Sequence, residues 1–315
     1  MQRTLVTGGA GFIGSSLVRS LLSHGFEVLV LDDFSTGRVE NLRDVADDVQ
    51  VIKGDIRDIE TVAGALRGAK LLFHLAANAS VARSVEDPLL IHELNASGTL
   101  GCLLAAKKAG VNRVVYASST AVYGNAGKLP ISEGARTQPL SPYGASKLAG
   151  ENYCSAFTAA LGLPTISLRY FNVFGPRQDP SSPYAAVIPR FISALIAHKP
   201  PTVFGDGEQT RDFIFVDDVV RANMLAAVAP DEALGQVFNI AAGVAHSIAE
   251  LAHLLRGLLG GPEPVYEEAI PGDIKHSLAD VTEAERVLRF RASVPIEEGL
   301  RRTVDWFLSR ERRIP

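Results

Sequence analysis

Thr4-Leu5-Val6-Thr7-Gly8-Gly9-Ala10-Gly11-Phe12-Ile13-Gly14 runs from a short apolar stretch through a glycine cluster into a helical pattern that reaches His24. Gly8, Gly11 and Gly14 have G-x-x-G-x-x-G spacing. Glycines at a strand-to-helix turn allow a tight bend and let a phosphate lie against the backbone. The helix N-terminus adds free N–H groups and partial positive charge. The glycine string alone is weak evidence; a strand before it and a helix after it point to a dinucleotide site.

Outward from this turn, apolar runs alternate with helical patterns. Glu27–Leu31, Val49–Ile52, Leu71–Leu75, Arg113–Ala117 and Thr165–Tyr170 read as further strands. Helices are expected near Ile59–Leu66, along Pro88–Ala109 and around Tyr143–Lys147. Near-continuous apolar strands separated by helices predict a parallel sheet covered on both faces, hence an α/β doubly wound (Rossmann) fold. After Tyr170 prolines and glycines cluster in Gly175–Pro183, and the pattern becomes mixed. Helices are expected near Val187–His198, Val219–Val228 and Ser247–Leu259, with strands at Thr202–Phe204, Phe213–Val216 and Val237–Ile240. The division expected is a Rossmann domain over 1–171, with late elements from about 212–240 returning to it. A smaller C-terminal substrate-binding α/β domain would take 172–211 and 241–315.

Asp32 ends the second strand, 32 − 14 = 18 residues past Gly14. A carboxylate there accepts the ribose hydroxyls of an adenosine and repels a 2′-phosphate, so NAD is expected rather than NADP. Arg38, which could hold such a phosphate, argues the other way. Asp33 also suits a turn. Asp55 ends the third strand near the expected adenine, and would equally suit a helix N-cap.

Tyr143-Gly144-Ala145-Ser146-Lys147 places a tyrosine and a lysine four apart on one helix face. A phenol has a pKa of ~10, and an adjacent ammonium in a closed site favours the phenolate. Reaching neutrality takes about 4 kcal/mol of such stabilisation and yields a usable base.

Composition narrows the rest. The 315 residues are 47% hydrophobic and 21% charged, with net charge −4 and no long basic run, which argues against nucleic-acid binding. No apolar run reaches the ~18 residues of a membrane span. The N-terminus runs directly into a strand rather than a signal peptide. Cys102 and Cys154, the two cysteines, read as buried thiols, and a cytoplasmic protein is expected. The seven histidines show no metal-ligand spacing, so no metal is expected.

With these residues placed, the chain resembles the extended short-chain dehydrogenase/reductases, and most closely the nucleotide-sugar 4-epimerases of the UDP-glucose 4-epimerase type. The resemblance spans nearly the whole chain. It is carried also by His74-Leu75-Ala76-Ala77, Asn95–Thr99, Tyr116–Gly124, Arg169-Tyr170-Phe171-Asn172 and Thr210-Arg211-Asp212-Phe213. It implies NAD as a retained cofactor, a UDP-sugar substrate and an isomerase that inverts C4 through a 4-keto sugar. Tyr143 would be the base, Lys147 would lower its pKa and hold the nicotinamide ribose, and Ser119 would bond the reacting oxygen. The cofactor site it implies takes in Phe12, Ile13, Asp33, Thr36, Gly37, Ile56, Leu75, Ala76, Ala77, Asn95, Ser118, Tyr170 and Phe171, beside Gly8, Gly11, Gly14, Asp32 and Asp55. Asn172, Phe204, Arg211 and Asp273 would contact the nucleotide diphosphate sugar, and Val187 and Ile188 would line the uracil pocket. A homodimer through the Pro88–Ala109 and Tyr143–Leu161 helices is implied too.

Departures from the family's variants refine the substrate. Dehydratase relatives carry an Asp-Glu pair just after the hydroxyl residue, and decarboxylases a glutamate; Thr120 and Ala121 stand here. Galactose-restricted epimerases hold a tyrosine where Ser277 stands. The small residue leaves room for a 2-N-acetyl group, so UDP-GlcNAc and UDP-GalNAc are expected substrates beside UDP-Glc and UDP-Gal. Many relatives place an arginine on the diphosphate where this chain has Ile270. The alternatives are a UDP-glucuronate 4-epimerase using Arg177 or Lys275 as carboxylate partner, a net nucleotide-sugar reductase, a decarboxylase, and a catalytically dead NAD-sensing regulator.

Overall fold

The computed structural model describes residues 2–180, 186–269 and 274–311. Seven parallel strands form the main sheet. β1 (Arg3–Thr7) pairs on one side with β2 (Glu27–Asp32), which pairs with β3 (Val49–Lys53). On its other side follow β4 (Leu71–His74), β5 (Arg113–Ser119), β6 (Thr165–Tyr170) and the Val237–Ile240 strand. The order reverses between β1 and β4, which opens a crevice at the C-terminal ends of the strands.

Period-2 alternation sorts the apolar strand residues onto two faces. Leu5, Leu29, Leu72, Val114 and Tyr116 face Val62, Cys102, Leu103, Cys154 and Phe157. Val6, Val30, Phe73, Val115 and Ala117 face Leu17, Val18, Val219 and Ala222. Each strand is therefore apolar throughout because each is buried twice.

A second, smaller layer lies beyond β6. Asn172–Phe174 pairs in parallel with Thr210–Phe215, which pairs antiparallel with Ala245–Ser247. Thr202–Phe204 pairs with Val265–Glu267. Phe174, Phe191, Phe213 and Phe215 fill a separate core beneath the helices Val187–Ile196 and Ile248–Leu259. Thr210–Phe215 thus belongs to this layer, and the return to the main sheet begins with the Val216–Ala227 helix, which lies against Phe12–Ser23. The sequence reading had put that return at about 212. The strands at Ala245–Ser247 and Val265–Glu267 were not legible, being only three residues each.

Pro88–Ala109 is not one uniform helix. His92–Ser97 forms a π-helical turn between α-helical Pro88–Ile91 and Gly98–Ala109. By length and composition these 22 residues could cross a membrane, with a hydropathy of 1.3, which corrects the expectation that no stretch would. Over half of that stretch is buried, and it lies against the Pro142–Leu161 helix as a core element.

The glycine turn is held by contact distances. A Cβ on Gly14 would stand 2.1 Å from the Gly8 carbonyl oxygen, and one on Gly8, at φ +70°, would stand 2.7 Å from Ala76 N. Gly14→Ala should therefore shift the first helix off the turn and destabilise the chain by about 1–3 kcal/mol in urea unfolding. A wild-type midpoint would mean that the turn accommodates the methyl group.

Candidate active site

A cavity of about 350 Å³ opens along the C-terminal ends of the strands. Gly8, Gly11, Phe12, Ile13 and Gly14 form its floor, and Asp32, Asp33, Thr36, Gly37, Asp55 and Ile56 one end. Leu75, Ala76, Ala77, Ser118, Tyr143, Lys147 and Tyr170 line the other. The glycine cradle, which added methyl groups would fill, and the acid at the end of β2 fit a dinucleotide.

Asp32 is fixed by two backbone donors, Ala10 N and Phe34 N, each at 2.9 Å. Burial raises its pKa, against those two N–H bonds. A methyl on Gly37 would stand 2.6 Å from Asp32 Oδ1, so glycine keeps that carboxylate face open. Arg38 is turned toward Asp179, with its Nη2 donating to Asp179 Oδ2 at 2.5 Å. Asp55 is gripped by the Arg57 guanidinium, whose hydrogen bond lowers the carboxyl's pKa. It is not the N-cap of the next helix; Asp58 accepts from Glu60 N and Thr61 N there.

The catalytic candidates meet where the Pro142–Leu161 helix crosses β5. Ser141 caps this helix and Pro142 starts it. A Cβ on Gly150 would fall 2.2 Å from the Tyr116 hydroxyl, so helix and strand approach closely there. Three successive strand residues lie against one helix face. The Ser119 hydroxyl lies near enough to the Tyr143 phenol to act on its pKa, and it accepts from Ala121 N at 3.1 Å. Lys147 Nζ donates to Ala117 O at 2.8 Å, and Ser118 Oγ donates to Glu151 Oε1. Positions 143, 147 and 151 are successive i, i+4 neighbours. Behind them Glu151 accepts a two-pronged bond from Arg169, at 2.8 and 2.7 Å, with both side chains nearly fully buried.

The electrostatics correct one expectation. Burial raises the Tyr143 pKa, and the neighbouring Ser119 hydroxyl opposes it only in part. Lys147 does not act on it as the sequence argument required. One of its three N–H donors goes to Ala117 O, and the ammonium lies 5.1 Å over the Tyr116 ring. Burial brings Lys147 itself down to about 8, with Glu151 among the groups resisting that.

Two cofactor candidates, Asn95 and Phe171, lie off the cavity wall, and a third, Ser118, lines it with its hydroxyl turned away. Asn95, within the π-turn, is buried and spent on protein: it accepts from Asn78 N and donates to Asn78 O and Ser146 Oγ. It positions the Leu75–Ser80 loop against the Tyr143 helix. Phe171 lies in a small core with Val122 and Tyr123. Ser118 reaches the cavity, yet its hydroxyl is directed at Glu151. His74, from the His74–Ala77 motif, is a neutral clamp. Burial drives its pKa to about 3, its Nδ1 lies 2.7 Å from Thr7 Oγ1 and its Nε2 2.9 Å from Thr99 Oγ1.

A second cavity of about 250 Å³ begins at Asn172 and is lined by Val187, Ile188, Phe204 and Arg211, together with Arg190, Gln178 and Gln209. Arg190, which the sequence reading missed, lies 5.2 Å over the Phe204 ring. Its sign was its place about one helical turn after Val187. Asp212 accepts Ala242 N, Gly243 N and Ala279 N, so it anchors the strand carrying Arg211. Ser277 is buried, its N–H donating to Thr210 O, and lines neither cavity. Asp273 and Ile270 lie outside the described residues.

Fold and site together define a Rossmann-type dinucleotide enzyme with a tyrosine and a lysine on the cofactor wall and Ser119 beside the tyrosine. The sequence pattern described as the NAD dependent epimerase/dehydratase family matches residues 4–241. A UDP-glucose 4-epimerase of Mycolicibacterium smegmatis is 42% identical over 99% of this chain and 100% of its own. The solved UDP-N-acetylglucosamine 4-epimerase of Methanobrevibacter ruminantium, in complex with UDP-N-acetylmuramic acid, is 40% identical with a TM-score of 0.94, over 98% of this chain and 99% of that one. UDP-glucose 4-epimerase of Thermotoga maritima, with UDP-glucose, is 38% identical with a TM-score of 0.94, over 98% and 100%. The chain belongs to the NAD dependent epimerase/dehydratase family, within the extended short-chain dehydrogenase/reductases, and its cofactor is NAD.

Removing the charge of Glu151 should test the buried pair. Glu151→Gln strands the Arg169 guanidinium and should cost about 3–5 kcal/mol in chemical unfolding. Glu151→Gln with Arg169→Met should recover part of that loss; a single-variant loss below 1 kcal/mol would show the pair to be dispensable.

Proposed function

We propose that the protein inverts C4 of UDP-hexoses, acting on UDP-GlcNAc and UDP-GalNAc as well as UDP-Glc and UDP-Gal. At the coarser level it is an enzyme, a UDP-sugar 4-epimerase. The observation that carries the reading is that Tyr143 and Lys147 line the dinucleotide cavity, with the Ser119 hydroxyl close to the Tyr143 phenol at the end of β5. With Tyr143 ionised, the pair can take the proton of a sugar alcohol and return it to the same oxygen, whichever face of the carbonyl carbon receives the hydride.

NAD, when bound, supplies the hydride acceptor, restores the hydride, and brings a nicotinamide positive charge that favours the Tyr143 phenolate. Gly8, Gly11, Gly14 and Asp32 would hold it. Tyr143 takes the proton of the 4-hydroxyl; Ser119 bonds the same oxygen and steadies it as it becomes a ketone. Lys147 keeps a positive charge beside that site. The 4-keto sugar then turns and is reduced on its opposite face, so net redox change is zero. Arg211 and Arg190, lining the second cavity, suit a diphosphate, and Phe204 with Val187 and Ile188 suits a flat base.

The glucuronate alternative needs a cation for the carboxylate. Arg177 lies at the first cavity, bonded to Ser16, and Lys275 is exposed beside Asp206. Ala121 leaves no acid for elimination or decarboxylation. A homodimer and a cytoplasmic location belong to the same reading. Leu89, Leu104 and Leu161 are exposed on the Pro88–Ala109 and Pro142–Leu161 helices, which suits a paired helical interface, and both cysteines are free thiols.

Incubating the protein with UDP-Glc, UDP-GlcNAc and UDP-GlcA, without added NAD, should yield C4 epimers of the first two; conversion of UDP-Glc alone would refute the N-acetyl assignment. Ser277→Tyr should reduce turnover of the acetylated substrate selectively. Equal loss of both substrates would refute a role for position 277 in admitting the N-acetyl group. Tyr143→Phe should abolish turnover with NAD still bound. In the wild type, kcat/KM should fall as pH rises through about 8, where the Lys147 ammonium loses its proton. An activity flat to pH 10 would exclude a role for that charge.

A further inference from the structure

Arg177 has φ +72°, a left-handed conformation that side chains other than glycine rarely adopt. It stands in the Gly175–Asp179 turn, in the half of the chain that carries the substrate layer, yet its side chain reaches the wall of the first cavity with Phe12 and Ile13. Its Nη2 donates to Ser16 Oγ, 2.8 Å away on the Phe12–Ser23 helix. Its Nε is buried and makes no hydrogen bond. Burial dominates its electrostatics and brings the guanidinium down to about 10; Asp44 and Asp217 act on it only at a distance, and Arg19 repels it. Two residues on, Asp179 is bonded to Arg38, which pins the turn over the Asp32 end of the cavity.

A desolvated cation with an unused donor and no adjacent carboxylate is unfavourable in the protein alone. Strained backbone that persists is held by its surroundings and gathers at ligand sites. The wall it shares is the N-terminal turn of a 12-residue helix, whose free N–H groups already favour an anion. We propose that Arg177 is a cofactor-diphosphate residue, completing from the substrate-side half of the chain the anion site that the Gly8–Gly14 turn begins. The diphosphate and the Gly175–Asp179 turn then hold one another, which retains the cofactor between turnovers. The inference rests on NAD as cofactor and not on which sugar is inverted.

Calorimetric titration of the full chain with ADP-ribose and with adenosine tests it. Arg177→Gln should weaken ADP-ribose about 10- to 100-fold, the range for a charge-assisted hydrogen bond, and leave adenosine within about twofold. Its melting temperature without nucleotide should equal or exceed that of the wild type, because an unpaired buried charge is gone. Arg177→Lys, which keeps the charge and loses the fork, should be intermediate for ADP-ribose. Equal loss for both ligands would mean a merely structural role and overturn the proposal, as would unchanged ADP-ribose affinity. The wild type, first stripped of the NAD it retains, should bind both ligands; if it then binds neither, the proposed diphosphate site is overturned.

Discussion

The seating of the Pro142–Leu161 helix on β5 is the contact from which the chemistry follows. Glycine at position 150 lets the helix come within reach of the Tyr116 hydroxyl, and the strand then presents Ala117, Ser118 and Ser119 to one helical face. Because side chains on a helix recur after four residues, Lys147 and Glu151 share one face and meet the Ala117 carbonyl and the Ser118 hydroxyl, with Tyr143 near Ser119 at the strand's end. The Glu151–Arg169 pair locks this arrangement from behind. Buried pairs add little net stability over apolar residues but are costly to break singly. Here the pair holds the two hydroxyls in register.

Burial is the common electrostatic theme. It raises Tyr143 and Asp32 and lowers Lys147, His74 and Arg177. His74 responds by staying neutral between two threonines. Asp32 is supported by two backbone N–H groups. Lys147 has one carbonyl and an aromatic face, so its charge is lost more readily than that of a surface lysine. The two arginines of the cavity wall differ: Arg38 has a carboxylate partner in Asp179, and Arg177 has a serine.

Much of this was readable along the chain. The glycine spacing and apolar runs predicted the parallel sheet, and Tyr143 and Lys147 stand on one helix face beside Ser119. Less readable were features set by neighbours remote in sequence. The π-turn that aims Asn95 at Asn78 rather than at the cavity leaves no mark in residue types. Phe171 and Arg177 belong to the same post-β6 segment, yet one turns into a small core and the other to the cofactor wall. The lowered tyrosine pKa was inferred from spacing alone, which says nothing of what the ammonium already bonds.

Periodicity and glycine placement, being local consequences of backbone geometry, were enough to determine the doubly wound fold and the dinucleotide turn. The direction each side chain faces, the partner that satisfies it and the charge it keeps were decided only by the tertiary structure. Desolvation and hydrogen bonding depend on atoms that lie tens or hundreds of residues apart in the chain, as between Arg177 and Ser16, or Asp179 and Arg38.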